Sequence, residues 1–147
     1  MQIEELASRE EIRDLVARYN ASGDGGRIEQ VIQLFAEDAV LRVGERSYRG
    51  RAEIWAMFED AARSTRERAG GRVRHFTATH QIEMLSEEEA RGRCYFQVLT
   101  ETGLDHWGRY LDEYRRIGGS WRFARRRVEL DGRVPGGWAD RRLSPTK

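Results

Sequence analysis

Lysine is nearly missing from this sequence, and cysteine and proline are scarce. Of 26 Lys and Arg side chains only Lys147 is lysine. Arginine pairs with carboxylates through parallel N–H groups and packs its stem well, so the composition suits a surface laced with salt bridges. The one cysteine, Cys94, excludes an internal disulfide and a cysteine-based metal site. No apolar leader follows Met1 and no run of about 18 apolar residues occurs, so the expectation is a soluble, cytoplasmic protein with no membrane partner. An excess of one charge is missing too: the 26 cations face 25 anions, a net charge of +1. Nucleic-acid binding calls for a clearly basic balance and is not expected. Neither a Gly-rich phosphate loop nor a Ser-hydrolase elbow is present. The three histidines show no ligand-type spacing, so no metal and no organic cofactor is expected.

What the chain does contain is enough for one core. It has 147 residues, 39% of them hydrophobic and 10% aromatic, which fits one domain and not two. The domain is expected over 1–131, with 132–147, which holds both prolines, as a C-terminal tail.

The first part of the chain reads as helical. Ser8-Arg9-Glu10-Glu11 has the form of a capping box, and Ile12, Leu15, Val16 and Tyr19 follow on one face, predicting a helix over 8–21. Gly23-Asp24-Gly25-Gly26 ends it. A second helix carries Ile28, Val31, Ile32 and Phe35. After a break at 36–38, a strand over 39–43 turns at Gly44-Glu45 into a second one over 46–48. A third helix over 51–63 shows Ile54, Trp55, Met57 and Phe58, and 64–72 reads as a loop. Strands follow over 73–85, 90–100, 107–117 and 121–130. Three helices followed by antiparallel strands predict an α+β fold, with the helices packed on a sheet that twist bends into a half-open cone. The inside of such a cone is a natural small-molecule pocket.

His75, within Arg74-His75-Phe76-Thr77-Ala78-Thr79-His80, is the candidate proton carrier. Strict alternation groups it with Val73, Thr77 and Thr79, opposite the more apolar set Phe76, Ala78, His80, Ile82 and Met84. A bulge or a sheet buried on both sides reconciles this. Asp24 is the candidate carboxylate partner, although aspartate between glycines also serves turns. Tyr19 lies on the apolar helix face, and Cys94 reads as a packing residue. Arg122, Arg125, Arg126 and Arg127 crowd the last strand; pairing with Asp112, Glu113 and Glu129 across the sheet is favoured over an anion site.

The order of elements and several local patterns resemble the SnoaL-like branch of the nuclear transport factor 2-like superfamily. The patterns are Ser8-Arg9-Glu10-Glu11-Ile12-Arg13-Asp14-Leu15, Asp24, Leu34-Phe35-Ala36-Glu37-Asp38-Ala39 and Tyr48-Arg49-Gly50-Arg51-Ala52-Glu53-Ile54. They continue with Arg74-His75-Phe76, Gly108-Arg109-Tyr110 and Gly118-Gly119-Ser120-Trp121-Arg122-Phe123. Within it the chain looks most like the scytalone dehydratase, bile-acid dehydratase and hexachlorocyclohexane dehydrochlorinase group. That resemblance implies a cofactor-independent lyase or isomerase with an Asp24–His75 dyad, and Tyr19 polarising a carbonyl or protonating departing hydroxide. It implies a hydrophobic cyclic, polyketide- or steroid-like ligand. Trp55, Phe58, Phe96, Val98 and Tyr110 are the candidate substrate-binding walls. The group's second histidine or acid has no counterpart at Val98 or Thr100, so a non-catalytic binding or assembly module is the alternative. Trp121 and Phe123, expected on the outer sheet face, suggest a homo-oligomer, a dimer or trimer.

Overall fold

A computed structural model describes residues 1–68 and 72–143. Its chain order is α1 (Ile3–Asp24), α2 (Ile28–Ile32), β1 (Phe35–Val43), β2 (Arg46–Arg49), α3 (Gly50–Arg68), β3 (Val73–Met84), β4 (Glu89–Thr100), β5 (Gly103–Ile117), β6 (Ser120–Arg133) and α4 (Trp138–Leu143). Six strands form one curved sheet in the order β2-β1-β6-β5-β4-β3. Only the β1–β6 pair is parallel. The expected α+β architecture is the one observed.

Helix α1 buries Ile12, Leu15, Val16 and Tyr19, the face its periodicity marks. Its start differs from expectation. The helix begins at Ile3, and Ser8, buried inside it, is no cap. Glu4 and Glu5 occupy the first turn, where carboxylates suit the positive end of the helix dipole. Glu5 also holds Arg9, whose guanidinium reaches the Ile82 carbonyl at 2.6 Å and ties α1 to β3.

Helix α2 is shorter than its pattern suggested. Phe35 opens β1 instead, opposite Phe123, and the Phe123 N–H donates to the Leu34 carbonyl at 2.8 Å. Sheet pairing outweighs one further turn of an isolated short helix. Helix α3 runs on through Arg68, so the first part of the expected 64–72 loop is helical; 69–71 lie outside the described residues. The stretch expected to be a tail carries the end of β6 and then α4, packed on β5 and α3. Residues 144–147, Pro145 among them, lie outside the described residues.

Trp121 and Phe123 belong to the core, not to the outer face. Those two residues therefore offer no surface to a second copy. The register shift opposite Glu113 and Tyr114 leaves Ala124 of β6 as the extra residue, so Trp121 and Phe123 face inward before it and Arg126 after it, while β5 keeps its alternation.

Candidate active site

Strand β3 resolves its own contradiction with a bulge. The β3–β4 register shifts between Ala78 and Gln81, and Thr79 sits at φ 54, the one non-glycine described with positive φ. One extra residue reverses the alternation. Before it Val73 and His75 turn inward; after it His80, Ile82 and Met84 do. Phe76 is left exposed. Both histidines thus serve the same face from either side of the bulge.

Asp24 is the last residue of α1, not a turn residue beyond it. Gly25 follows as C-cap, and no basic residue occupies the helix's last turn to offset the negative end of its dipole. His75 supplies the partner. Its backbone N–H donates to Asp24 Oδ2 at 2.8 Å, and its ring Nδ1 lies 2.5 Å from Oδ1. Both carboxylate oxygens are used on one residue, so the ring is fixed in position and in tautomer, with Nδ1 carrying the proton and Nε2 free. The pair is recessed but not sealed, with side-chain exposures of 23% for His75 and 10% for Asp24.

A second pair of the same kind stands beside it. His106 Nδ1 lies 2.8 Å from Asp105 Oδ2. Asp105 also accepts the N–H groups of Trp138 at 2.6 Å and Ala139 at 3.0 Å, which anchors the first turn of α4. A Cβ at Gly137 would stand 2.6 Å from Asp105 Oδ1, so the close approach needs glycine. His75, Val98 and His106 occupy one register row across β3, β4 and β5. The two imidazoles meet edge to face with centroids 6.5 Å apart, and Phe96 is 6.4 Å from one and 6.0 Å from the other. Burial, partly countered by Asp105, holds His106 below its ordinary pKa.

In the sequence His106 shows no ligand-type spacing to the other two histidines. Its adjacency to Asp105 was the only local signal. Its place in the site depends on the β4–β5 register and on α4 folding back.

The deeper interior is filled. Tyr19 is ringed by Phe35, Phe58, Tyr110 and Phe123 at centroid distances of 5.6 to 6.0 Å. Arg126 lies over Tyr19, Tyr110 and Phe123 at 4.2, 3.9 and 4.3 Å. It is bound to Asp112, which also accepts the Tyr114 hydroxyl at 2.8 Å; His80 Nε2 is 3.2 Å from that hydroxyl. Tyr110 donates to Asn20 at 3.2 Å and stacks on Phe96 at 4.6 Å. Burial raises the pKa of Tyr19, so its hydroxyl stays protonated. Tyr19 hydrogen-bonds to neither Asp24 nor His75.

Of the candidate walls, Phe96 and Val98 adjoin His75, and Tyr110 backs Phe96. Phe58 contacts Tyr19 from α3, and Trp55 packs partly buried against the core. Of the β6 arginines Arg126 makes the expected pair across the sheet, with Asp112, whereas Arg127 pairs with Glu129 of its own strand and Arg122 donates to the Gln33 carbonyl. Arg125 instead lines a recess of about 720 Å³ on the outer sheet face, away from the dyad, together with Arg42, Arg49, Arg91, Arg93 and Arg127. No described cluster of three or more His, Cys, Asp or Glu residues is arranged to hold a metal ion. No described helix is long and apolar enough to cross a membrane.

A helix-lined curved sheet with an inward carboxylate–imidazole pair is the frame in which the sequence match falls. Residues 4–127 match the SnoaL-like domain family, and the chain belongs to it. Among solved structures, an NTF2-like protein with a cystatin-like fold from Novosphingobium aromaticivorans is 29% identical. That match covers 96% of this chain and 91% of that one, with a TM-score of 0.73. A putative scytalone dehydratase from Novosphingobium aromaticivorans DSM 12444 is 21% identical over 93% and 95% of the two chains, with a TM-score of 0.78. The hexachlorocyclohexane dehydrochlorinase LinA-type3 from Novosphingobium barchaimii LL02 is 21% identical over 91% and 94%, at 0.76. At that identity these two share the fold. No curated protein matches the chain.

Proposed function

We propose that the protein is a cofactor-independent lyase or isomerase of the dehydratase type, with the Asp24–His75 dyad as its base. The observation that carries this reading is the double hold of Asp24 on His75, through the ring and through the peptide N–H. A carboxylate used in this way fixes a tautomer and stabilises the imidazolium that forms. His75 Nε2 takes a proton from carbon next to an activating group. The C–H electron pair then becomes a new π bond as a leaving group departs with its own bonding pair, or it migrates and is reprotonated elsewhere. The His75 proton goes to the leaving oxygen or back to carbon. Tyr19, kept protonated by burial, is the donor for a developing oxyanion if the ring cluster opens to admit one.

The substrate is a hydrophobic cyclic molecule, polyketide- or steroid-like in character, bound against Phe96, Val98, Tyr110, Phe58 and Trp55. The fold shared with a putative dehydratase and with a dehydrochlorinase supports the reaction type.

A panel of cyclic ketones and β-hydroxyketones in D₂O tests the proposal. Wild type exchanges the α-hydrogen or eliminates water; His75→Gln and Asp24→Asn lower the rate by roughly 10³–10⁴-fold with the fold intact. Full activity in His75→Gln removes the reading.

The dense packing of Tyr110 on Phe96 and of Arg126 beneath Tyr19 favours one alternative, a binding or assembly module without turnover. Under it, ligands bind wild type and both variants alike and are not converted. Exposed Phe76, Tyr95 and Trp107 on the outer sheet face are the better ground for a homo-oligomer, which sedimentation checks.

A further inference from the structure

We infer that the arginine-lined recess on the outer sheet face is a binding site for a small polyphosphate, a ligand carrying two or more linked phosphate groups. It lies across the sheet from Asp24 and His75 and does not depend on the chemistry of that pair.

Strand register gathers the cations. Arg49, Arg125 and Arg91 share one row across β2, β6 and β4. Arg42, Arg127 and Arg93 share the neighbouring row, on β1, β6 and β4. Residues two apart on a strand point to the same side, so all six guanidiniums belong to the outer face. They line one recess of about 720 Å³, a size that suits a small ligand. Arg42 stands directly opposite Arg127. Like charges so placed repel, and an anion between them removes that cost.

The cations are only partly satisfied by the chain itself. Four are held through Nε: Arg42 by the Gly44 carbonyl at 2.8 Å, Arg91 by Glu83 at 2.7 Å, Arg93 by Gln81 at 2.6 Å and Arg127 by Glu129 at 2.9 Å. Their terminal nitrogens are left for another partner. Arg49 and Arg125 make no side-chain hydrogen bond or ion pair among the described residues. Glu113 is in register with both Arg125 and Arg91, yet it pairs with neither.

The charge left over identifies the ligand. Glu83 and Glu113 are the exposed carboxylates of the recess, and Glu129 meets Arg127 from outside it. Asp112 also lines it, but its charge is matched by Arg126 on the inner side. Six cations against three carboxylates leave three positive charges, in a chain whose total is +1. One phosphate group carries about −1.5 to −2 at neutral pH, so two linked phosphates match that excess. Each offers oxygens that a guanidinium grips through parallel N–H groups.

The test is calorimetry on the full chain at fixed ionic strength, with pyrophosphate, orthophosphate and citrate as probes. Wild type is expected to bind pyrophosphate roughly tenfold more tightly than either of the others. Arg42→Gln combined with Arg125→Gln lowers pyrophosphate affinity at least about tenfold. Arg13→Gln combined with Arg18→Gln removes the same charge from the exposed side of α1 and leaves that affinity unchanged. So does His75→Gln, which keeps this site separate from the proposed reaction. Two readouts on wild type need no variant to fold. Pyrophosphate raises Tm more than sulfate does at equal ionic strength, and it shifts the Arg125 Nε resonance in protein labelled with ¹⁵N-arginine.

No binding, equal affinity for the three anions, or an unmoved Arg125 resonance overturns the inference. An equal loss in the two double variants does so too, because it marks diffuse attraction to surface charge. A dimer that pyrophosphate leaves intact and that the Arg42 and Arg125 changes break assigns the recess to a second copy, and the polyphosphate site falls.

Discussion

Arg126 on β6 and Asp112 on β5 face each other in the sheet register and join through two hydrogen bonds of 2.8 Å, with neither side chain exposed at all. A fork-to-carboxylate pair this deep offsets a large desolvation cost only while it is complete. Three aromatic faces around the guanidinium add cation–π attraction, and one nitrogen, Nη1, is left without a partner.

Arg126→Met therefore strands a buried carboxylate with the Tyr114 hydroxyl as its remaining side-chain partner. The expected loss is about 3–5 kcal/mol in urea unfolding. Arg126→Met combined with Asp112→Leu removes both charges and is expected to cost less than Arg126→Met alone. A double variant less stable than the single one contradicts this account.

Thr79 stores strain at the β3 bulge. A β-branched residue at φ 54 is held in the left-handed region at a cost of order 1–3 kcal/mol. Asparagine tolerates that region better. Because Thr79 is exposed, Thr79→Asn loses little packing and is expected to stabilise the protein by up to about 1 kcal/mol. Thermal unfolding at constant pH measures it.

His80 and His106 both titrate below the ordinary histidine value of 6.5, in each case chiefly through burial. The unfolded chain binds these protons first, so their contribution is intact above pH 6.5 and is lost as pH falls below it, toward the lowered folded values. Unfolding free energy should fall as pH drops from about 7 to 5. His80→Gln should make that decline shallower. A flat profile in wild type over this range contradicts it.

Cys94 is buried, and its thiol is pushed up to about 11, chiefly by that burial. The thiolate is the reactive form. Iodoacetamide at pH 8 should leave the native protein unlabelled and modify it only after unfolding. Mass spectrometry gives the answer directly.

How much was legible varied from element to element. The apolar face Ile12-Leu15-Val16-Tyr19 and the turn at Gly118-Gly119 lie where local spacing puts them, whereas β5 begins at Gly103 and not at 107, so the strand that carries Asp105 and His106 is longer than its pattern suggests. Phe35 was misplaced because an apolar residue one turn after Ile32 fits a helix as well as a strand. Only its pairing with Phe123 decides. Ser8 looked like a cap because its neighbours match the pattern, yet nothing local reveals that the helix begins five residues earlier. The contradiction over His75 was visible, and one of the two remedies considered, the bulge, is the one observed.

By itself the sequence determined the class of fold, the order of its elements as far as β6 and membership of the SnoaL-like domain family, since these rest on short-range periodicity and on motifs spread along the chain. Tertiary structure alone decided which imidazoles meet which carboxylates. Asp24 reaches His75 across fifty-one positions, and Asp105 gathers α4 from thirty-three positions away. Such contacts depend on strand register and on where the chain returns. Register is fixed by the packing of whole faces, which no local spacing records.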